Sequence, residues 1–344
     1  MSDFTRRLPI YLLLDCSESM AGDAIEDMNA GIRTLVDALK SDPLAIETAW
    51  LSVITFSGYA KQLHPLTELL EFIVPKLSVR SGTALGSALR LLTECLTREI
   101  VKGSATQKAD YKPLVILLTD GEPTDEWEEA ARRLNVPGHP SIANTYAIAC
   151  GPDADTNILH QVTDVVLRMK DMSPSSWNKL FVWLTASVQT TSRALDTGGE
   201  GQSVSLPALP DGALEVAPYS DAPRDPRPRQ VFLHSYCRRQ GLPYLMRYAR
   251  EPYEDHYRAV TSHPLPVSEE ASLAEDLPAI NTSLLDGVPA CPYCRNEIAA
   301  ACGCGAILCC AHSDQSFKCP RCHDEVFLAR GSHGGGFDVR QSEG

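Results

Sequence analysis

The sequence predicts an α/β fold in which a doubly wound, mostly parallel sheet comes first, and a small β-rich segment and a cysteine-rich module follow. Over residues 1–196, apolar runs of strand length alternate with amphipathic runs at helical spacing. Glycine and proline then interrupt residues 197–228, and runs rich in aromatic and branched residues begin after them. Eight of the twelve cysteines lie between Cys291 and Cys322.

The alternation in residues 1–196 assigns each element by its pattern. Buried parallel strands read as continuous apolar runs, whereas the helices carry their apolar residues on one face. The helix predicted at 125–134 opens with acidic residues between Asp125 and Glu129, and we expect these carboxylates to face the positive end of its dipole. In chain order, the predicted strands are 8–14, 51–56, 114–119, 145–150 and 165–169, and the predicted helices are 22–40, 84–100, 125–134 and 175–195.

Oxygen-bearing side chains follow two of these strands. The first strand ends on Asp15, with Ser17 and Ser19 at alternating positions after it; alone, this pattern also fits a capped turn. A second strand ends on Asp120, and Thr83 precedes a helical run. Buried carboxylates need a partner, ligands collect at the carboxyl ends of parallel strands, and oxygen ligands suit hard cations. The sequence therefore predicts one Mg²⁺ or Ca²⁺ site formed by these five side chains.

The motif from Asp15 to Ser19, together with Thr83 and Asp120, resembles the metal-ion-dependent adhesion site of the von Willebrand factor A domain. None of its five positions departs from the family pattern. The resemblance implies a Rossmann-like sheet and a bound cation with one coordination position left open. A partner's carboxylate can fill that position, so that binding depends on the metal. An A-type fold whose site stays empty is the alternative.

The cysteine-rich module, residues 286–330, offers pairs of ligands at the spacing of zinc knuckles. A Cys-Pro-x-Cys turn points both thiolates at one ion, and eight ligands suffice for two tetrahedral Zn²⁺ ions. Either Cys309 or Cys310 is spare, and the spacing to His312 slightly favours Cys309 as the ligand. The pairs are Cys291 with Cys294, Cys302 with Cys304, Cys309 or Cys310 with His312, and Cys319 with Cys322.

Two arrangements of these four pairs are open. In a ribbon, the first and last pairs share one ion; in a crossed arrangement, pairs one and three share an ion, and pairs two and four share the other. The order superficially resembles RING domains, with Cys304 where RINGs commonly carry histidine. Clustered cysteines without an export signal favour metal ligation in a reducing cytoplasm over disulfides. Because the module has few large apolar residues, we expect structural zinc, which contributes roughly 10–16 kcal/mol in comparable modules, to hold its fold.

An A-type domain, a strand-rich piece and an eight-ligand zinc tail resemble the TerY family of bacterial tellurite-resistance and stress-response proteins, and the tail resembles its TerY-C metal-binding domain. The resemblance implies a cytoplasmic protein whose partners include a metal-dependent Ser/Thr protein phosphatase and a protein kinase-like protein. The expected organisation is an A-type domain at 1–196, a linker at 197–228, a β-rich segment with a tether at 229–285, the zinc module at 286–330 and a flexible tail at 331–344.

The β-rich segment contains three predicted strands, at 230–236, 244–248 and 257–261. Eight arginines against four acidic residues lie between Arg224 and Arg258. An arginine-and-tyrosine surface of this kind is able to bind an acidic or phosphorylated partner or single-stranded nucleic acid. A solvated strand face is the simpler interpretation.

Composition and motifs limit the remaining function classes. The net charge of −13 argues against broad nucleic-acid affinity, no run approaches the ~20 apolar residues of a membrane helix, and an N-terminus that leads straight into a strand predicts no signal peptide. No histidine lies near the oxygen-ligand motifs in the sequence, and Glu18 would point away from a metal held by Ser17 and Ser19. We therefore expect a non-enzymatic, metal-dependent protein-binding module. The alternatives are a RING-like or zinc-ribbon adaptor, for ubiquitin ligation or nucleic-acid binding, and a metal-dependent hydrolase.

Overall fold

The computed structural model describes residues 6–103, 108–134, 144–151, 154–196, 207–219, 228, 230–250, 254–265, 279–328 and 336–341. The parts of the expected linker, tether and tail that fall in the gaps lie outside the described residues. The chain forms two compact units. The first comprises Met1–Cys16, Asp23–Val79 and Thr83–Asp221, and the second comprises Ser17–Gly22, Arg80–Gly82 and Ala222–Gly344.

The first unit is built on a seven-stranded sheet with the order β3-β2-β1-β4-β5-β6-β7. Its inner strands are parallel, whereas the two edge strands are antiparallel to their neighbours. This confirms the predicted doubly wound α/β fold. The strands are β1 (Leu8–Asp15), β2 (Ala49–Phe56), β3 (Ala60–Glu68), β4 (Leu114–Thr119), β5 (Asn144–Ala149), β6 (Val165–Met169) and β7 (Leu214–Val216).

Helices cover both faces of this sheet. Alternate residues of a strand point to opposite faces, and on β1 Tyr11 and Leu13 join the same apolar cluster as the helices α3, α4 and α5. On the other side α1 packs against α6, where a Cβ on Gly31 would lie 1.9 Å from the Phe181 ring, so only glycine permits this approach. The helices are α1 (Asp23–Lys40), α2 (Pro43–Thr48), α3 (Leu85–Glu99), α4 (Glu128–Leu134), α5 (Thr156–Val162) and α6 (Pro174–Asp196).

Glu128 and Glu129 lie in the first turn of α4, as predicted, whereas Asp125 has a different role. The helix begins at Glu128, so Asp125 precedes it. Asp125 instead accepts hydrogen bonds from the backbone amides of Gly86 (2.8 Å) and Ser87 (2.7 Å) in the first turn of α3. The N-cap residue of α3, Ala84, has no side chain able to do this. Asp125 therefore caps the first turn of α3, whose backbone amides would otherwise lack a partner, and not the helix α4 that follows it.

The second unit is built on a six-stranded sheet with the order β12-β10-β9-β8-β14-β13. Its three long strands fall where the aromatic and branched runs predict them, and two strands of the cysteine-rich module extend the same sheet, β14 lying parallel to β8. The described strands of this unit are β8 (Gln230–Tyr236), β9 (Pro243–Ala249), β10 (Tyr257–Pro264), β11 (Ile280–Asn281), β12 (Leu285–Asp286), β13 (Ile298–Ala301), β14 (Ile307–Cys310), β15 (Ser316–Lys318), β16 (Glu325–Phe327) and β17 (Asp338–Val339). Of these, β11 pairs with β17, and β15 pairs with β16, in two separate two-stranded sheets.

Three of the four tyrosines of this sheet are core residues, and Tyr236 is half-buried. Tyr244, Tyr248 and Tyr257 are all buried, and they do not offer the open stacking surface considered for nucleic acid. Arg250 is also buried; its Nε donates to the Pro228 carbonyl at 2.9 Å, and its guanidinium lies over the Tyr257 ring. None of the helices in the described ranges is both long and apolar enough to cross a membrane.

Candidate metal centres

The first candidate centre begins where β1 ends. Asp15 is the last residue of the strand, and Ser17 is the extended residue before a single 3₁₀ turn at Glu18–Met20. The Ser17 and Ser19 hydroxyl oxygens lie 2.8 Å apart, close enough to bind one ion together. Asp15, Ser17 and Ser19 are all buried, although each carries a polar group.

The two carboxylates of this centre end neighbouring strands. Because β1 and β4 pair in parallel, Asp15 and Asp120 both lie at the edge of the sheet formed by the carboxyl ends of the strands. Both are buried, and the Thr119 hydroxyl donates a hydrogen bond to Asp15 Oδ2. Burial, followed by the charges of Asp120 and Asp15, raises the pKa of the adjacent Cys150 thiol well above its usual range. This edge therefore has a concentration of negative charge that a cation would neutralise.

Thr83 is fixed on the same edge by the loop that follows Asp120. Its amide donates to the Thr124 hydroxyl at 3.0 Å, and its carbonyl accepts from the Thr124 amide at 3.0 Å. Thr83 is completely buried. The two carboxylates and three hydroxyls are all buried, and they are of the oxygen type that a hard cation binds. The residues present therefore fit Mg²⁺ or Ca²⁺.

Glu18 is a buried acidic residue. It belongs to the second unit, where its Oε1 accepts a hydrogen bond from the Ser81 hydroxyl at 3.0 Å and lies 2.5 Å from His234 Nε2. The expectation that no histidine lies near the oxygen-ligand motif is therefore wrong in space, although it is right along the sequence. His234 is 216 residues from Glu18 in the chain, and only the folded structure brings the two together.

The second candidate centre is a group of four cysteines that includes one outside the predicted module. Cys237, Cys291, Cys294 and Cys309 place their sulfur atoms within 4.8 Å of one another. Cys237 follows the end of β8, where Ser235 pairs with Ile307 and Tyr236 with Leu308 of β14. The next pair in this register is Cys237 with Cys309. The pairing of the two parallel strands thus brings Cys237 to the site.

Cys237 also lies in a turn of the knuckle type. Its amide donates to the carbonyl five residues later, and its carbonyl accepts from the amide four residues later, at 2.9 and 2.7 Å. The turns at Cys291 and Cys319 repeat both hydrogen bonds. The fourth residue after the cysteine has positive φ each time: Gly241 (68°), Arg295 (63°) and His323 (66°). A cysteine four residues before Gly241, at the end of a predicted strand, is the local sequence signal of this turn, but the turn lacks the second cysteine of a zinc knuckle.

The third candidate centre is the group Cys302, Cys304, Cys319 and Cys322. The sulfur atoms of Cys302 and Cys322 lie 3.5 Å apart, and those of Cys304 and Cys319 lie 3.8 Å apart. Four sulfur atoms at about 2.3 Å from a tetrahedral zinc ion lie about 3.8 Å from one another. Both cysteine groups therefore have the composition and the size of a Cys₄ zinc site. The second and fourth predicted pairs share one group, and the first pair shares the other group with Cys309, as in the crossed arrangement. Cys237 is the additional member of that other group.

The expected third pair is corrected by this geometry. Cys309 is a member of the first cysteine group, but among the described residues neither Cys310 nor His312 joins either group. Successive residues of β14 point to opposite faces of the sheet, so Cys310 packs in a separate apolar cluster with Leu308 and Phe317. Burial raises the pKa of the Cys310 thiol, which fits a neutral core residue.

Within the first cysteine group the thiols differ in acidity. Burial raises the pKa of the Cys294 thiol, but hydrogen bonds from the Asn296 amide and from neighbouring thiols outweigh burial. The pKa of Cys294 is therefore lowered. Burial raises the pKa of Cys309 well above its usual range, and the contact with Cys294 adds to this. Four adjacent thiols cannot all ionise on their own. A divalent ion removes this conflict because it stabilises the thiolates together.

Two family profiles match this chain. The family profile described as "von Willebrand factor type A domain" matches residues 10–175, and that described as "TerY-C metal binding domain" matches residues 228–344. No curated protein sequence matches the chain.

Several solved structures resemble about half of this chain. A von Willebrand factor type A protein from Catenulispora acidiphila is 19% identical, with a TM-score of 0.41, covering 54% of this chain and 43% of that one. Proximal thread matrix protein 1 from the mussel byssus, with a zinc-occupied MIDAS motif, is 20% identical, with a TM-score of 0.39, covering 54% and 48%. BatB from Bacteroides thetaiotaomicron is 18% identical, with a TM-score of 0.36, covering 54% and 98%. The chain spans less than half of the first two proteins.

The adhesion-site residues fall within the first matched range, and all eight clustered cysteines fall within the second, Cys237 included. The chain therefore consists of a von Willebrand factor type A domain followed by a C-terminal TerY-C metal binding domain.

Proposed function

We propose that this chain is a non-enzymatic scaffold that captures a protein partner through a divalent cation at the adhesion site. The observation that carries the proposal is the buried donor set of Asp15, Ser17, Ser19, Thr83 and Asp120. Its two carboxylates supply only two formal negative charges. A divalent cation held there stays electron-poor and seeks a further anionic oxygen, which a partner's aspartate or glutamate can supply.

Mg²⁺ is the expected occupant of this site, with Ca²⁺ as the alternative. Mg²⁺ prefers six oxygen ligands and retains some of its water, so one water can give way to a partner's carboxylate. When bound, the ion supplies the charge that attracts that carboxylate. The protein holds its own oxygen atoms buried and hydrogen-bonded, so that the donor set is organised before the partner arrives.

The two cysteine groups are proposed to hold structural Zn²⁺. Each offers four thiols, and a tetrahedral zinc ion with four protein ligands has no position left for water or substrate. The TerY-C domain is thus a platform without chemistry of its own. A zinc-dependent hydrolytic rate in Asp15→Ala protein would contradict this assignment.

The identity of the partner is proposed from family resemblance. An A-type domain joined to a TerY-C domain points to the bacterial tellurite-resistance and stress-response proteins. On that basis we propose a metal-dependent Ser/Thr protein phosphatase and a protein kinase-like protein as partners, in the cytoplasm.

Partner capture with and without metal tests the proposal. The full chain serves as bait in Mg²⁺ and in EDTA, and mass spectrometry identifies proteins retained only with Mg²⁺. Calorimetric titration of such a partner then compares the wild type with Asp120→Ala. We expect the variant to lose ~1.5–3 kcal/mol of binding free energy, the scale of a charge-assisted contact. Glu129→Ala is the matched control, because its carboxylate is exposed and pairs with Arg133 on α4. Equal affinity in both proteins, with and without EDTA, would contradict the proposal.

A further inference from the structure

Two histidines share one face of the sheet of the second unit. On β9, Leu245 pairs with His234 of β8 on one side and with His263 of β10 on the other. Directly opposed residues of neighbouring strands project to the same face. The three side chains therefore form a row across the sheet. Leu245 is completely buried in the apolar cluster that it forms with Phe232 and Leu265.

Both histidines contact the segment that carries two adhesion-site hydroxyls. Glu18 lies between Ser17 and Ser19 in the chain, and its carboxylate is 2.5 Å from His234 Nε2. The side chains of both partners are almost fully buried. The segment Ser17–Gly22 belongs to the second unit, so this contact is an internal one.

The end of this segment makes an independent contact. Gly22 has a φ of 86°, and a Cβ built there would lie 2.6 Å from the ring of His263. A side chain would therefore collide with the ring, and glycine is required for the close approach. The Ser81 hydroxyl makes a third contact with the segment, a hydrogen bond that it donates to the Glu18 carboxylate.

The strand that carries His234 also leads to a zinc site. Cys237 lies three residues further along, next to Cys309 in the register of β8 and β14. The sulfur atom of Cys237 and the ring of His234 lie on opposite faces of the sheet, because residues three apart in an extended chain alternate. A zinc ion at the Cys237 group would fix the end of β8 and hence the position of His234.

We propose that His234 and His263 are positioning residues for the adhesion site, and that through them zinc in the Cys237 group raises the affinity of the adhesion site for its divalent cation. The segment Ser17–Gly22 is a short turn whose only regular structure is one 3₁₀ turn. Contacts that hold its two ends reduce the conformational entropy lost when the Ser17 and Ser19 hydroxyls bind an ion. The inference rests on the proposed function, since it requires that the adhesion site bind a cation.

Calorimetric titration of Mg²⁺ into the full, zinc-loaded chain tests the proposal. We expect His234→Ala to weaken Mg²⁺ binding about 5- to 10-fold, at the low end of typical coupling between sites, while elemental analysis still finds two zinc ions. His234→Gln, which retains a donor, should recover part of the loss. In a Glu18→Gln background, His234→Ala should have a smaller effect, because the two residues act through one contact. His256→Ala is the matched control, since His256 is an exposed histidine of the same unit.

The role of zinc is tested by the same Mg²⁺ titration of the Cys237→Ser variant. This variant keeps Asp15, Thr83 and Asp120, and we expect it to lose a similar amount of Mg²⁺ affinity. Wild-type Mg²⁺ binding together with equal affinity in folded His234→Ala and Cys237→Ser would overturn the coupling and leave the proposed function standing. A wild-type chain that takes up no Mg²⁺ would overturn both.

Discussion

Substituting Cys237 with serine removes the one proposed zinc ligand, among the described residues, that lies outside the cysteine-rich module. In the structure its sulfur joins those of Cys291, Cys294 and Cys309 within 4.8 Å. Serine offers an oxygen that is a much weaker zinc ligand than a thiolate, and the remaining three thiols belong to the module itself. We expect dialysed Cys237→Ser protein to retain one zinc ion per chain where the wild type retains two.

The energetic cost follows from the loop that this ligand closes. Holding Cys237 next to Cys291 closes a loop of roughly 50 residues, which in the chain-entropy model of a cross-link stabilises the fold by about 4 kcal/mol. This is a large fraction of the stability of a small domain. The loss should be confined to the second unit, because neither Cys237 nor its partners belong to the first.

The tryptophans make this distinction measurable. Trp50, Trp127, Trp177 and Trp183 are the four tryptophans of the chain, and all lie in the first unit. Guanidinium unfolding followed by tryptophan fluorescence therefore reports on the first unit, and far-UV circular dichroism reports on both. We expect the fluorescence transition of Cys237→Ser to match the wild type and an additional, earlier circular dichroism transition to emerge.

Cys310→Ser and His312→Ala are the controls for this experiment. Neither residue joins a cysteine group in the structure, so both variants should keep two zinc ions. If Cys237→Ser kept two zinc ions and an unchanged circular dichroism transition while His312→Ala lost one, the ligand set expected from the sequence would be right and the structure-based set would be refuted.

Two further predictions concern helix ends in the first unit. Asp125→Ala should lower the free energy of unfolding by about 0.5–2 kcal/mol, because α3 loses its only described side-chain cap; Arg90→Ala controls for the exposed Asp125–Arg90 ion pair, which should contribute less than about 1 kcal/mol. Hydrogen bonds from Ser173 and Ser176 lower the pKa of Asp171 from 3.8 to about 2. A folded-state pKa below the unfolded value adds stability at higher pH that is lost as the pH falls through that interval. Denaturation across acidic pH should therefore show a loss in the wild type that is absent from Asp171→Asn; equal pH profiles would contradict this.

The sheet of the first unit was predictable because its inner strands are buried on both faces. Continuous apolar runs such as 8–14 and 114–119 coincide with β1 and β4, whose residues are all buried. The edge strand β3 was missed for the same reason. Ala60–Glu68 is mostly polar, contains Pro65 and is only partly buried, as edge strands often are. Its position depends on pairing with β2 rather than on its own pattern.

The candidate sites also contain residues that a local sequence pattern reveals and residues that only the fold brings together. Asp15, Ser17 and Ser19 lie within five residues of one another, so they are visible as a motif once Thr83 and Asp120 complete the set. Cys237 becomes a ligand only through the register of β8 with β14, and His234 meets Glu18 only after the chain has folded. No local pattern encodes a partner at such a distance. The knuckle turn at Cys237 is a local feature, but it lacks the second cysteine that makes such turns recognisable.

The strand β14 separates the two cysteine groups of the second unit. Cys309 belongs to an apolar cluster with Val231, Tyr244 and the first cysteine group, whereas Cys310 belongs to another cluster with members of the second group. The two sulfur groups are therefore parts of the two cores on either side of one strand. Buried thiols in apolar surroundings resist ionisation, and neighbouring thiolates repel one another. A core of this kind is stable when an ion satisfies all four sulfur atoms, so the ions would act here as the central packing elements of the sheet.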